Sequence, residues 1–302
     1  MNLPISPPNR PTPTPKVLLR GLKSEHFRHA LDLQATQTLQ QIPGVDLLLR
    51  TVIGPLAEQV FYLDNIASSI LVGEKQLPHL HALLIEACNI LDLEPPQLYV
   101  RQNPAPNAYT FAIRGKQPFV VIHSSLIELL TPAEIQAVIG HELGHLKCDH
   151  SLYLTLANLL ILASGELLPF GGVIAQSLQS QVMEWIRCAE FTCDRAALLV
   201  AQDARVVASV LMKLAGGSPS LAAQLNLDAF LEQARSYDQV ARTEIGTLIK
   251  QAQTEPLTHP LPVLRAREID RWASSQPYHD LLKQCSISYN DEAASKGGWR
   301  NW

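Results

Sequence analysis

The sequence predicts a mostly helical α+β fold with a small sheet placed beside one central helix. Three observations carry that expectation. Apolar residues recur at helical spacing over most of the chain. Strand-like alternation is confined to Leu98–Arg101, Tyr109–Ile113 and the apolar run Phe119–His123. Directly after them, Thr131–His150 opens with Thr131, Pro132 and Glu134, a Thr N-cap with Pro in the first turn and an acid three residues on. Ile135, Val138, Ile139 and Leu143 then give this helix an apolar face.

Residues 1–15 contain six prolines and no apolar core of a signal peptide, and read as a disordered leader. Phe27, Leu31, Leu33, Thr38 and Leu39 predict a first helix over Ser24–Gln41, stopped by Pro43-Gly44. Asp46–Val72 reads as one or two helices burying Leu47, Leu48, Val52, Ile53, Leu56, Val60 and Leu63. Leu77–Leu91 is a further helix, ended before Pro95-Pro96. His26, His29, His79 and His81 have no acidic partner at ligand spacing and read as surface or structural. The last two strand-like segments, joined through Gly115, Lys116 and Gln117, predict a hairpin. Leu152–Leu168 is the most apolar stretch, but Asn158 and Glu166 interrupt a run already short of the roughly 20 residues of a membrane span. It predicts a helical hairpin, packed on the domain or lying at a membrane surface. Val173–Ile186 is amphipathic, and Arg187–Val200 is helical. The resulting division is a leader 1–15, a helical region 16–97, a domain 98–275 that holds the sheet and the central helix, and a tail 276–302.

Composition bounds the rest. A chain of 302 residues can bury a core as one or two domains. Hydrophobic content of 47% with 17% charged implies large buried helix faces or membrane contact. A net charge of −4 gives no reason to expect a nucleic-acid partner. Five cysteines in a chain this long read as reduced thiols, which suits a cytoplasmic location with a peripheral membrane contact through 152–168. Cys148 reads as a small buried thiol.

The central helix carries chemistry. His141 and His145 are four apart, so their imidazoles stack on one side and can converge on one ion. Glu142 lies next to His141, near enough to act on a water at that ion. HExxH on a helix thus reads as two zinc ligands and a general base, one zinc per chain, in a zincin-like catalytic domain. Cys148 and Ser151 stand where a metzincin needs Gly and His, and His150 is out of register by one, so the third ligand lies elsewhere. Arg187–Val200 supplies a candidate. Glu190 and Asp194 lie four apart on an apolar helix, and unpaired buried carboxylates are costly. Zinc and a ligating histidine would account for both, with Glu190 as third ligand and Asp194 behind a histidine. The alternative is a solvated pair partnered by Arg187 and Arg195. Gly140 and Gly144 on one helix, and Ala189, Cys193 and Ala197 on the other, form narrow stripes that would let the two approach closely.

HELGH at 141–145 followed by RCAEFTCDRAA at 187–197 resembles the zinc metallopeptidases of the HtpX and CAAX-prenyl-protease kind, family forty-eight of the metallopeptidases. The resemblance runs from about Leu98 to Trp272. Asn107-Ala108-Tyr109 is similar to the family's edge-strand segment, and His259-Pro260 before Arg265 to its C-terminal element. It implies a gluzincin site: His141, His145 and Glu190 on zinc, Glu142 as base, Asp194 behind a histidine. The 152–168 hairpin is shorter and less apolar than in HtpX-like members. The activity implied is a zinc-dependent metalloendopeptidase acting on proteins or peptides. His259 or Arg265 could serve the oxyanion, or could tie down the C-terminal segment, and Asn107 and Ala108 could contact substrate. The competing reading is a non-catalytic zinc-binding, membrane-associated scaffold or adaptor, which would have no need of Glu142.

Overall fold

In the computed structural model, described over residues 16–41, 62–112, 117–150, 154, 173–241 and 259–287, two helices dominate. In chain order the elements are α1 (Ala30–Gln40), β1 (Ser69–Leu71), α2 (Pro78–Leu91), β2 (Gln97–Arg101), β3 (Ala108–Phe111) and β4 (Phe119–His123). Then follow α3 (Ser124–Leu129), α4 (Pro132–Lys147), α5 (Val173–Ala201), α6 (Ala204–Gly216), α7 (Leu227–Ala241), α8 (Pro262–Ala273) and α9 (Gln276–Ile287). The fold is mostly helical with one small mixed sheet.

Local chemistry sets both ends of α4. Thr131 N–H donates to Glu134 Oε2 at 2.7 Å and Thr131 Oγ1 accepts from Glu134 N–H at 3.4 Å, a closed capping box with Pro132 in the first turn. Glu134 also accepts from Ser209 Oγ at 2.6 Å and Lys213 Nζ at 2.7 Å, which ties this end to α6. At the other end Asp149 takes a left-handed φ of 55°. Asp149 N–H donates to Leu146 O at 3.2 Å and His150 N–H to His145 O at 2.9 Å, the paired bonds of a Schellman motif. That turn folds His150 back over the last turn of the helix.

The sheet order is β1-β2-β4-β3. β2 and β4 run parallel, while β1 pairs antiparallel with β2 and β3 antiparallel with β4. β3 is therefore an edge strand. The apolar face of α4 packs with Leu84 and Ala87 of α2, Val120 and Ile122 of β4, and Leu198 and Val200 of α5 in one core.

α4 and α5 are antiparallel and meet through small residues. A Cβ built on Gly140 would stand 2.8 Å from the Val200 side chain, and one on Gly144 2.8 Å from Ala196 Cβ and 3.1 Å from Cys193 Cα. Neither neighbour has a flexible end that can swing away. Gly144→Ala should therefore lower stability by about 1–3 kcal/mol through overpacking, although alanine favours a helix interior by about 1 kcal/mol. Chemical denaturation reads this directly. An unchanged or raised midpoint would mean that the helices do not meet so closely.

The structure corrects four expectations. Ser69–Leu71 is a strand, not the end of a helix, because its backbone groups are paired by β2. Leu63, expected in the core, is 66% exposed. In α1 the inward face is polar: Asp32 and Thr36 are buried, whereas Leu31 and Leu33 are each 47% exposed. Asp32 is drawn inward by the hydrogen-bond donors around it. Val173–Ala201 forms one continuous helix rather than two segments. The leader 1–15, most of the helices expected over 46–72, the Gly115-Lys116 turn and the 152–168 hairpin apart from Leu154 lie outside the described residues.

Candidate metal centre and active site

The last two turns of α4 and the middle of α5 bring the candidate ligands together. Glu190 faces both imidazoles: its Oε2 lies 3.4 Å from His141 Nε2 and its Oε1 3.5 Å from His145 Nε2. Atoms bound to a tetrahedral zinc at about 2.0–2.2 Å lie roughly 3.3–3.6 Å apart, so this spacing suits two nitrogens and one carboxylate on a common ion. Glu190 is buried, and among the described residues its Oε2, though ion-paired with His259 and Arg265, accepts no well-aligned hydrogen bond. A buried carboxylate oxygen left in that state fits a metal ligand. Cys193, one turn further along α5, also has its sulfur close: His141, His145 and Cys193 offer ligand-type atoms within 4.8 Å of one another. Burial, with Glu190 next, pushes its thiol well above the usual range.

Behind the candidate ligands lies a buried ionic cluster. His141 Nδ1 is 3.2 Å from Asp194 Oδ1. Arg265 of α8 grips Asp194 with both arms, Nε to Oδ2 at 2.8 Å and Nη2 to Oδ1 at 2.6 Å, and its Nη1 reaches Glu190 Oε2 at 3.2 Å. Burial opposes every charge in this cluster, but the partners outweigh it. The Asp194 carboxyl is held below its usual range by Arg265 and His141, and Glu190 well below by His259, His141 and Arg265. His141 is pushed up to about 10 against its burial by Glu190 and Asp194. The same two carboxylates would also favour a metal dication beside His141.

His259 stands at the mouth, its side chain 58% exposed and its Nδ1 2.9 Å from Glu190 Oε2. That carboxylate raises its pKa. Of the two C-terminal candidates for oxyanion contact, Arg265 is buried and already bound to Asp194, whereas His259 borders open space. Arg187 and Arg195 do not hold the Glu190–Asp194 pair; Arg195 donates to Phe27 O at 3.2 Å and stacks on Trp272.

Glu142 is buried, and Thr110 Oγ1 of the edge strand β3 donates to its Oε2 at 2.6 Å. Ala108 at the start of β3 and Asn107 just before it line a cavity of about 360 Å³ together with His141, Glu142, Glu190 and His259. Its other wall is apolar, with Val138, Val207, Val210 and Leu211.

Sequence reasoning missed three residues here. Thr110 was hidden because its contact crosses from strand to helix. His150, set aside for its spacing, is buried with its Nδ1 3.2 Å from His145 Nδ1. Its Nε2 meets Asp32 Oδ2 at 3.1 Å, 118 residues away. Burial pushes His150 down to about 4 despite Asp32. One signal was readable: Asp149 just past the helix tolerates the left-handed turn that returns His150 to His145.

The family follows from comparison. Residues 74–273, about two thirds of the chain, match Peptidase family M48, and the chain belongs to that family; it is a peptidase. It is 57% identical over 272 residues to the Plastoglobule-localized metallopeptidase 48, chloroplastic, of Arabidopsis thaliana, covering 90% of this chain and 79% of that protein. It is 30% identical over 190 residues to Protease HtpX homolog 2 of Methanosarcina mazei, covering 53% of this chain and 64%, less than two thirds, of that relative. Among solved structures, S. mikatae Ste24p aligns at 16% identity and TM-score 0.38, covering 80% of this chain and 61% of that one. As a peptidase the chain acts on protein or peptide substrates. Among the described residues no helix is long and apolar enough to cross a membrane.

Proposed function

We propose that the chain is a zinc-dependent metalloendopeptidase of the gluzincin type, with His141, His145 and Glu190 as metal ligands and Glu142 as general base. The observation that carries this is the spacing of the Glu190 carboxylate from both Nε2 atoms, 3.4 and 3.5 Å. Zinc held there would supply Lewis acidity, bringing the pKa of a water to about 7 and polarising the scissile carbonyl. Glu142 takes the proton of the attacking water and passes it to the leaving amine. Thr110 holds one oxygen of Glu142, which leaves the other for that proton. Asp194 accepts from His141 Nδ1–H and so keeps its Nε2 lone pair toward the ion. Arg265 balances the two carboxylates from behind, and His259, whose Nδ1 meets Glu190, has its Nε2 left to face the oxyanion. The edge strand β3, beginning at Ala108, has one side not paired by another strand among the described residues and could add an extended peptide there. The apolar cavity wall favours a hydrophobic side chain next to the scissile bond. A cytoplasmic location and a peripheral membrane contact through 152–168 are separate proposals on which this chemistry does not depend.

Glu190→Gln tests the ligand set. An amide is a poor zinc ligand, so bound zinc and hydrolysis of an unfolded protein substrate should fall together, while wild type holds one zinc per chain and regains activity when zinc is restored after chelation. Full zinc content in Glu190→Gln would remove Glu190 from the ligand set.

A further inference from the structure

Deepening the zinc reading of this site, and resting on it, we infer that Asp32 acts through His150 to fix the tautomer and ring orientation of His145, so that the N-terminal segment supplies a positioning residue to the metal centre.

The argument is a forced chain of donors. Asp32 is completely buried. Its Oδ2 receives Arg28 Nε at 2.9 Å and Thr192 Oγ1 at 2.7 Å, and its Oδ1 receives Arg28 Nη2 at 3.2 Å and Thr36 Oγ1 at 3.1 Å. A carboxylate held by a guanidinium in this way is ionised and can only accept. His150 Nε2, 3.1 Å from Oδ2, must therefore be the donor. With its proton on Nε2, a neutral His150 presents a lone pair at Nδ1. That lone pair faces His145 Nδ1 at 3.2 Å, so His145 must donate from Nδ1. A neutral His145 then has its lone pair on Nε2, toward Glu190, the state a metal ligand requires. Metal-binding histidines usually donate their far N–H to a carboxylate, carbonyl or water; here a second histidine takes that place and passes the constraint to a carboxylate on another element.

The surroundings hold this relay in place. The turn after α4 folds the His150 backbone onto His145 O. Trp185 packs edge-on against the His150 ring, with centroids 5.4 Å apart, and donates from Nε1 to Thr36 Oγ1 at 2.9 Å. Thr192 accepts from His29 N–H at 3.0 Å, which aims its hydroxyl proton at Asp32. Cys193 Sγ, 3.7 Å from His150 Nδ1, is the rival donor, but a thiol is weak and the contact is longer. Arg28, Asp32 and Thr36 all precede residues 74–273, which match the family.

The test reads protons rather than turnover. In the metal-free full chain labelled with ¹⁵N-histidine, with rings assigned by the loss of signals in His145→Gln and His150→Gln, His145 should carry its proton on Nδ1 and His150 on Nε2. Asp32→Asn, whose amide can turn an N–H toward His150, should mix both tautomers and weaken zinc binding in a chelator competition by roughly 10–100-fold. His150→Gln, which leaves the Arg28–Asp32 pair intact, should weaken zinc binding to a similar degree. A His145 Nδ1 without a proton in the unaltered chain, or zinc affinity unchanged in both variants, would overturn the inference. The unaltered chain decides alone if Asp32→Asn does not fold. A wild type that binds no zinc would instead sink the metallopeptidase mechanism, while the tautomers still judge the relay.

Discussion

Glu142→Gln should keep its zinc and lose peptide hydrolysis by about 10²–10⁴-fold, or more if the same group serves both proton steps. The expectation rests on the separation of roles in the site. His141, His145 and Glu190 face one another without Glu142, whose Oε2 is engaged by Thr110. Glutamine has the same size and can still meet Thr110, so the helix and the ligands should be undisturbed. It cannot take a proton from water. Zinc content and turnover must therefore part company in this variant. Loss of zinc together with turnover would make Glu142 a ligand, and retained turnover would mean that another group is the base.

Arg265→Met should destabilise the folded chain by about 3–5 kcal/mol, the usual cost of stripping one partner from a buried ion pair. Arg265 is buried and bidentate to Asp194, with a further reach to Glu190. Without it two buried carboxylates lose a shared counter-charge. Adding Asp194→Leu to Arg265→Met should recover part of the loss, because the stranded carboxylate is then gone. A double-mutant cycle by chemical denaturation measures this coupling. Additive effects would show that the two residues do not act as a pair. If Arg265→Met instead keeps full stability and loses turnover alone, then Arg265 serves the reaction directly and not the frame.

What could be read from the sequence was local. HExxH places two imidazoles on one face because the helix repeat does so wherever the helix forms, and the capping box at Thr131 marks where it starts. Glu190 and Asp194 were conspicuous as acids within an apolar helix, and the small residues on both helices signalled a close approach. Contacts decided by distant partners stayed hidden. The three residues of β1 become a strand only through pairing with β2. The buried face of α1 is chosen by Arg28, Thr192 and His150 around Asp32, against the pull of Leu31 and Leu33. Spacing placed His150 off the ligand stripe; the part proposed for it depends on a left-handed residue after the helix end and on a carboxylate from another element.

Zinc K-edge absorption of the purified, zinc-loaded chain tests the central claim most directly. Two imidazole nitrogens and a carboxylate oxygen at about 2.0–2.2 Å, one further light-atom ligand and no sulfur are the predicted shell. Cys193 is close enough to compete. A sulfur at about 2.3 Å would contradict the account, because Cys193 would then hold the position assigned to Glu190.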